Sequence, residues 1–297
     1  MYEKFYGLNE KPFNVTPDPR FLYVGKQHQE ALANLIYGIY ERKGFMVLTG
    51  EVGTGKTTLI NTLLERLNHN VKTALIFNPN LTLRDLFFSI KNEFGLKSGF
   101  KTKAEFLNIL NRFLIERLKK KGNAVIIIDE AQHIHPSILE EVRLLLNLET
   151  SKDKLLQVIL SGQPELNEKL NMSQLRQLKQ RISIRYHLHP LEKGETNDYI
   201  KERMRIAGCK DHSIFTDKAI NEIYKFSKGV PRLINIISDN SLLIGYATDR
   251  PKIIPKIVSE SIKDLKLESK NNEEKATTPN RFSINSFKRR ILRFRLI

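Results

Sequence analysis

The stretch "FMVLTGEVGTGKTTLI" sets a glycine-rich turn between an apolar run and a helical one, and its residue types suit the capture of a polyphosphate. Gly50, Gly55, Lys56 and Thr57 fit the pattern G-x-x-x-x-G-K-[ST], with Glu51, Val52, Gly53 and Thr54 between the glycines and Thr58 following. Gly53 and Gly55 let backbone N–H groups turn inward around phosphate oxygens. Lys56 brings a point charge to the β and γ oxygens, and the Thr57 hydroxyl is placed to ligate Mg²⁺ where a helix begins. A second stretch, "VIIIDE", is an apolar strand that ends in two acids. Asp129 is expected to hold Mg²⁺ through its water shell, and Glu130, one residue on, to orient and deprotonate an attacking water. An acid at Glu130 points to hydrolysis rather than to nucleotide sensing alone. His28, His133 and His135 are not expected to bind metal: His28 lacks neighbours at ligand spacing, and the other two follow a motif for a cation that prefers oxygen.

Those residues need a frame that brings strand ends and one helix N-terminus to the same edge. Short apolar runs at 45–49, 72–77, 124–129, 155–161 and 182–188 read as strands, and helical periods at 56–67, 83–94, 104–119 and 137–148 lie between them. That alternation predicts an α/β domain with an open parallel sheet covered by helices, over residues 1–189. After residue 188 the strand signal stops, and four helical segments separated by Gly, Pro and Asp predict a small all-α domain over 190–267. The polar stretch 268–280 reads as a disordered linker. Beyond it, residues 281–297 form a basic tail in which Ile284, Phe287, Ile291 and Phe294 recur at helical steps.

The chain has 49 Lys and Arg against 33 Asp and Glu, a net charge of +16 that favours nucleic acid or an anionic membrane surface as partner. Six of those charges, Arg281, Lys288, Arg289, Arg290, Arg293 and Arg295, sit in the tail. An amphipathic basic segment of this kind suits an anionic bilayer, or nucleic acid phosphates as second choice. Cys209 is the single cysteine, which excludes an internal disulfide and suits a reducing compartment. The N-terminal residues carry early acids and no apolar leader, so a cytoplasmic protein, at most peripheral to the membrane, is expected.

With these motifs in place the chain resembles an AAA+ ATPase. The opening "MYEKFYGLNEKPFNVTPDPRFLYVGKQHQEALANLIYGI" is similar to the N-terminal signature of the ExeA/GspA-type ATPases of bacterial secretion and type IV pilus assembly. "IIIDEAQHI", "VILSGQPEL", "LKQRISIRYHLHPL" and "KGVPRLIN" resemble further blocks of that family, in its order, so that the likeness covers most of residues 1–247. The resemblance implies ATP and Mg²⁺ as cofactors, a homo-oligomer with each site completed in trans, and components of a secretion or pilus machine as partners. It also implies a γ-phosphate sensor at the end of the fourth strand, either Ser161 or Gln163. An arginine finger is implied at Arg176, Arg181 or Arg185, of which Arg181 is favoured, and a nucleotide-contacting lid arginine at Arg232. Tyr23, Val24 and His28 fall where the family's chain lies against adenine. Longer members continue into a membrane span and a peptidoglycan-binding region; neither pattern occurs in these 297 residues, so wall binding is not expected of them. Two rival readings remain: a DNA-bound regulator of transposition target choice, like the TnsC, TniB and MuB ATPases, which the positive charge suits, and a nucleotide-gated scaffold with little turnover.

Overall fold

A computed structural model describes residues 1–14, 18–21, 23, 25–77, 82–211 and 213–275, with side chains described as far as residue 265. The tail at 281–297 and Val24 lie outside the described residues. The chain divides into two units. One is Val24–His189; the other joins Met1–Tyr23 to Pro190–Ile297.

The first unit is built on five parallel strands: β1 (Phe45–Gly50), β2 (Val71–Ile76), β3 (Asn123–Ile128), β4 (Gln157–Gly162) and β5 (Ile182–Leu188). Their order across the sheet is β2-β3-β4-β1-β5. The expected open parallel sheet is therefore present, with β2 displaced by one residue from its predicted span. Every residue of β1, β3 and β4 is buried, as central strands covered on both faces must be. On one face, α1 (Lys26–Tyr40) and α2 (Lys56–Arg66) pack Leu35, Ile39, Leu59 and Leu63 against Met46, Leu48, Ile127 and Ile159. On the other, α3 (Leu83–Glu93), α4 (Lys103–Lys119) and α5 (Pro136–Leu145) pack Ile90, Phe106 and Leu139 against Val47, Ile126 and Val158. The starts of α3 and α4 are fixed by reciprocal caps, Thr82 with Asp85 and Thr102 with Glu105, which satisfy N–H groups that a helix cannot satisfy itself. Helix α1 is absent from the strand-and-helix reading of the sequence. Two short helices, α6 (Glu165–Leu170) and α7 (Arg176–Gln180), lead from β4 to β5.

The second unit contains α8 (Lys193–Ile206), α9 (Asp217–Ser227), α10 (Pro231–Ala247) and α11 (Pro255–Lys275). Two expectations change here. Met1–Tyr23, assigned to the α/β domain, belongs with the helices. The reason is apolar: Tyr2, Tyr6, Leu8, Phe13 and Phe21 are buried in one cluster with Tyr199, Ile220, Ile237 and Ile253. Helix α11 also runs past residue 267 into the predicted linker. Glu and Lys are good helix formers, and no Gly or Pro interrupts the chain before Pro279. No helix among the described residues is long and apolar enough to cross a membrane.

Candidate active site

Parallel strands deliver their C-terminal ends to one edge, and the register decides which residues meet there. Ile128 pairs with Leu160, so Asp129 and Ser161, the next residues of their chains, come side by side. Leu48 pairs with Ser161, which brings the start of the phosphate loop to the same edge. The loop closes on Gly55 at φ +98°, a backbone state that a Cβ would strain, and α2 starts from it with its first N–H groups unpaired by the helix. Lys56 is 5% exposed, and its Nζ donates to the carbonyls of Gly50 at 2.7 Å and Glu51 at 2.9 Å. Burial lowers the pKa of this ammonium, against the pull of Glu130 and Asp129.

Asp129, 2% exposed, collects three donors. The Thr57 hydroxyl donates to Oδ2 at 2.8 Å, the Ser161 hydroxyl to Oδ1 at 2.7 Å, and the Glu130 N–H to Oδ1 at 3.0 Å. A hydroxyl and a carboxylate oxygen in contact at a helix start are the oxygen donors that Mg²⁺ takes alongside nucleotide phosphates and water. No cluster of three or more His, Cys, Asp or Glu able to hold a metal occurs among the described residues.

Glu130 sits in the left-handed region at φ +52°, a strained position of the kind found at functional sites. Its Oε2 accepts from Gln132 Nε2 at 2.6 Å and Gln163 Nε2 at 3.3 Å. Burial would raise its pKa, but the two amides and the Lys56 charge outweigh that, and the group is held below the ordinary glutamate value. A half-buried carboxylate that stays ionised, with one oxygen committed to amides, leaves the other oxygen to take a proton from water.

The two sensor candidates therefore divide. Ser161 serves Asp129 and Gln163 serves Glu130. His28 is buried in α1, and its Nε2 lies 3.3 Å from the Thr54 carbonyl, so it supports the loop from behind. Glu51 and Val52 are exposed at the loop tip, and Thr58 is half-buried in α2. Tyr23 stands edge-on to Tyr199 at 5.9 Å, within the helical unit. Arg232 is exposed in the first turn of α10, also in that unit. Arg181 caps α7 just before β5, half-buried, while Arg176 and Arg185 are exposed.

Sequence reasoning passed over Gln132, Lys169 and the pair Thr49–His187. Lys169 donates to the carbonyls of Gln132 and, at 2.7 Å, Ile134, steadying the turn after Glu130. Thr49 Oγ1 lies 2.9 Å from His187 Nδ1 at the root of the loop. The signal for Gln132 was present as the polar residue two places after Glu130 in "DEAQ", but spacing alone does not say which way its amide turns.

Comparison with known proteins bears on the fold and the family. A family model described as an AAA domain matches residues 39–170. General secretion pathway protein A of Aeromonas hydrophila is 46% identical over 255 residues, covering 86% of this chain but 46% of that protein's length. Among solved structures, the ORC2 protein of Aeropyrum pernix superposes with a TM-score of 0.64 at 17% identity, over 86% of this chain and 71% of that one. Cdc6p from Pyrobaculum aerophilum gives 0.61 at 21% identity, over 83% and 70%. At those identities the likeness is one of fold.

Proposed function

Since the chain belongs to the ExeA/GspA-type family of AAA+ ATPases over the stretch that it shares with the secretion protein, we propose that it binds Mg²⁺-ATP, hydrolyses it at subunit interfaces and so drives assembly of a bacterial secretion or pilus machine. The observation that carries the reading is the contact set at the strand ends: Thr57 and Ser161 on Asp129, with Glu130 one residue further and Lys56 inside the loop. In this reading the loop N–H groups from Glu51 to Thr58 and the Lys56 ammonium hold the phosphates, and Thr57 and Asp129 hold Mg²⁺. Bound Mg²⁺ would offset charge on the β and γ oxygens. Glu130 accepts the proton of the attacking water, and Gln163 faces the γ-phosphate.

The test is Glu130→Gln, which keeps the size of the side chain but removes the base. ATP binding should persist while turnover falls by about 10²-fold or more, in line with the loss of a positioned general base. An unchanged rate would refute the assignment.

The net charge of +16 favours the rival in which the protein acts on DNA. In the proposed reading the protein works in the cytoplasm, with the basic tail against anionic lipid at the inner membrane face. Turnover and oligomer size measured with duplex DNA and with anionic vesicles, at two salt concentrations, separate the two. Salt-sensitive stimulation by DNA alone decides for the rival.

A further inference from the structure

We propose that Gln132 is a positioning residue that ties the hydrolytic base to the turn after β4, holding one oxygen of Glu130 through its amide nitrogen and the Gln163 backbone through its amide oxygen. The inference rests on the assignment of Glu130 as the base. Gln132 is 8% exposed, and both ends of its carboxamide are engaged. Nε2 donates to Glu130 Oε2 at 2.6 Å, and Oε1 accepts from the Gln163 N–H at 3.1 Å. Only this orientation of the amide works. Turned over, it would set an oxygen against a carboxylate and an NH₂ against an N–H, and both hydrogen bonds would be lost.

Two further contacts and one glycine hold the bridge in place. Lys169 donates to the backbone carbonyl of Gln132 itself, so the residue is fastened at its main chain as well as at its tip. Gln163 Nε2 adds a second donor to the same Glu130 oxygen at 3.3 Å. Gly162 leaves the room: a Cβ there would stand 2.7 Å from Gln132 Oε1 and 3.0 Å from a Leu166 methyl, so any larger residue would push the carboxamide aside. With Oε2 occupied, Glu130 presents Oε1, and the strained backbone at Glu130 keeps that presentation local to the strand end. A displacement of the Gln163 turn, which follows β4 and faces the γ-phosphate in this reading, passes to the base through the side chains of Gln132 and Gln163.

The experiment compares Gln132→Met with Glu130→Gln in the full chain. Methionine is close to glutamine in length and volume but cannot donate to Glu130 and offers the Gln163 N–H only a weak sulfur acceptor. Misplacing a reacting group by about 1 Å can cost around a hundredfold, so kcat should fall by about tenfold to a hundredfold. KM, the affinity for a fluorescent ADP analogue and the melting temperature should stay near wild type. A residue that merely supports the fold would lower melting temperature and nucleotide affinity along with kcat, and that result overturns the proposal. So does an unchanged kcat in Gln132→Met while Glu130→Gln abolishes turnover. If Glu130→Gln itself keeps full turnover, the base assignment fails first and the inference falls with it. Should the methionine variant not fold, Gly162→Ala, which displaces the carboxamide while leaving Gln132 in the chain, must give the same split between kcat and KM. An unaltered kcat there also counts against the bridge.

Discussion

At the scale of single residues, the candidate site turns on how Asp129 is held. A buried carboxylate must be compensated, and here two hydroxyls and one N–H do so. Ser161, fully buried, gives the shortest of the three bonds at 2.7 Å. Removing that donor in Ser161→Ala leaves Oδ1 with the Glu130 N–H alone, which should cost about 1–3 kcal/mol of stability. It should also loosen the aim of Asp129, so the Mg²⁺ concentration for half-maximal turnover rises several-fold. A Mg²⁺ titration of ATPase rate, read beside a thermal melt, checks this; a lowered melt with unaltered Mg²⁺ demand would reduce Ser161 to a structural role. The sequence left Ser161 and Gln163 as equal alternatives for one task. Both stand at the right strand end, but which carboxylate each meets depends on the pairing of β3 with β4. That is a relation between residues 32 apart in the chain, and local pattern does not encode it.

Elements were legible where their periodicity was strong. All five strands lie close to their predicted spans because runs such as "VIII" in β3 have to be buried on both faces, and the helices between them show apolar stripes. The N-terminal segment was assigned to the wrong unit for an identifiable reason: its sequence resemblance marks it as nucleotide-proximal, whereas its packing is decided by aromatics that meet α8, α9 and α10. Arg203 of α8 fastens it. Its guanidinium donates to Pro12 O at 2.6 Å, Asn14 O at 3.3 Å and the Tyr199 hydroxyl at 2.9 Å, and it lies 4.8 Å from the Phe21 ring centre. This is a buried cation held by carbonyls, a hydroxyl and aromatic faces. Arg203→Met keeps the apolar stem but deletes those donors, and charged hydrogen bonds of this kind are each worth about 1.5–3 kcal/mol. Hydrogen exchange should then accelerate across residues 1–14 and along α8, with the five strands keeping their protection. Equal loss of protection in both units, or none in either, would contradict the assignment of Arg203 as the local anchor.

At the scale of the whole molecule, the position of Arg181 bears on the proposal that each site is completed by a neighbouring copy. Ile182, the next residue, pairs with Phe45 at the beginning of β1, whereas the phosphate loop leaves β1 after Gly50. Strands rise by about 3.3 Å per residue, so Arg181 stands roughly 20 Å along the sheet from its own phosphate site, well beyond the reach of an arginine side chain. Its Nη1 is buried and has no hydrogen-bond partner among the described residues. If Arg181 stabilises γ-phosphate charge, it does so on a neighbouring copy, through a head-to-tail contact that repeats around a ring. Arg181→Ala should therefore bind ATP and turn over poorly, and Lys56→Ala should fail to bind. Mixed in equal amounts, about a quarter of the interfaces in a random head-to-tail assembly pair an intact loop with an intact arginine, so ATPase activity should reappear where neither variant alone has it. Recovery with Arg176→Ala in place of Arg181→Ala would move the role to the exposed arginine of α7, and no recovery with either would mean that each chain works alone.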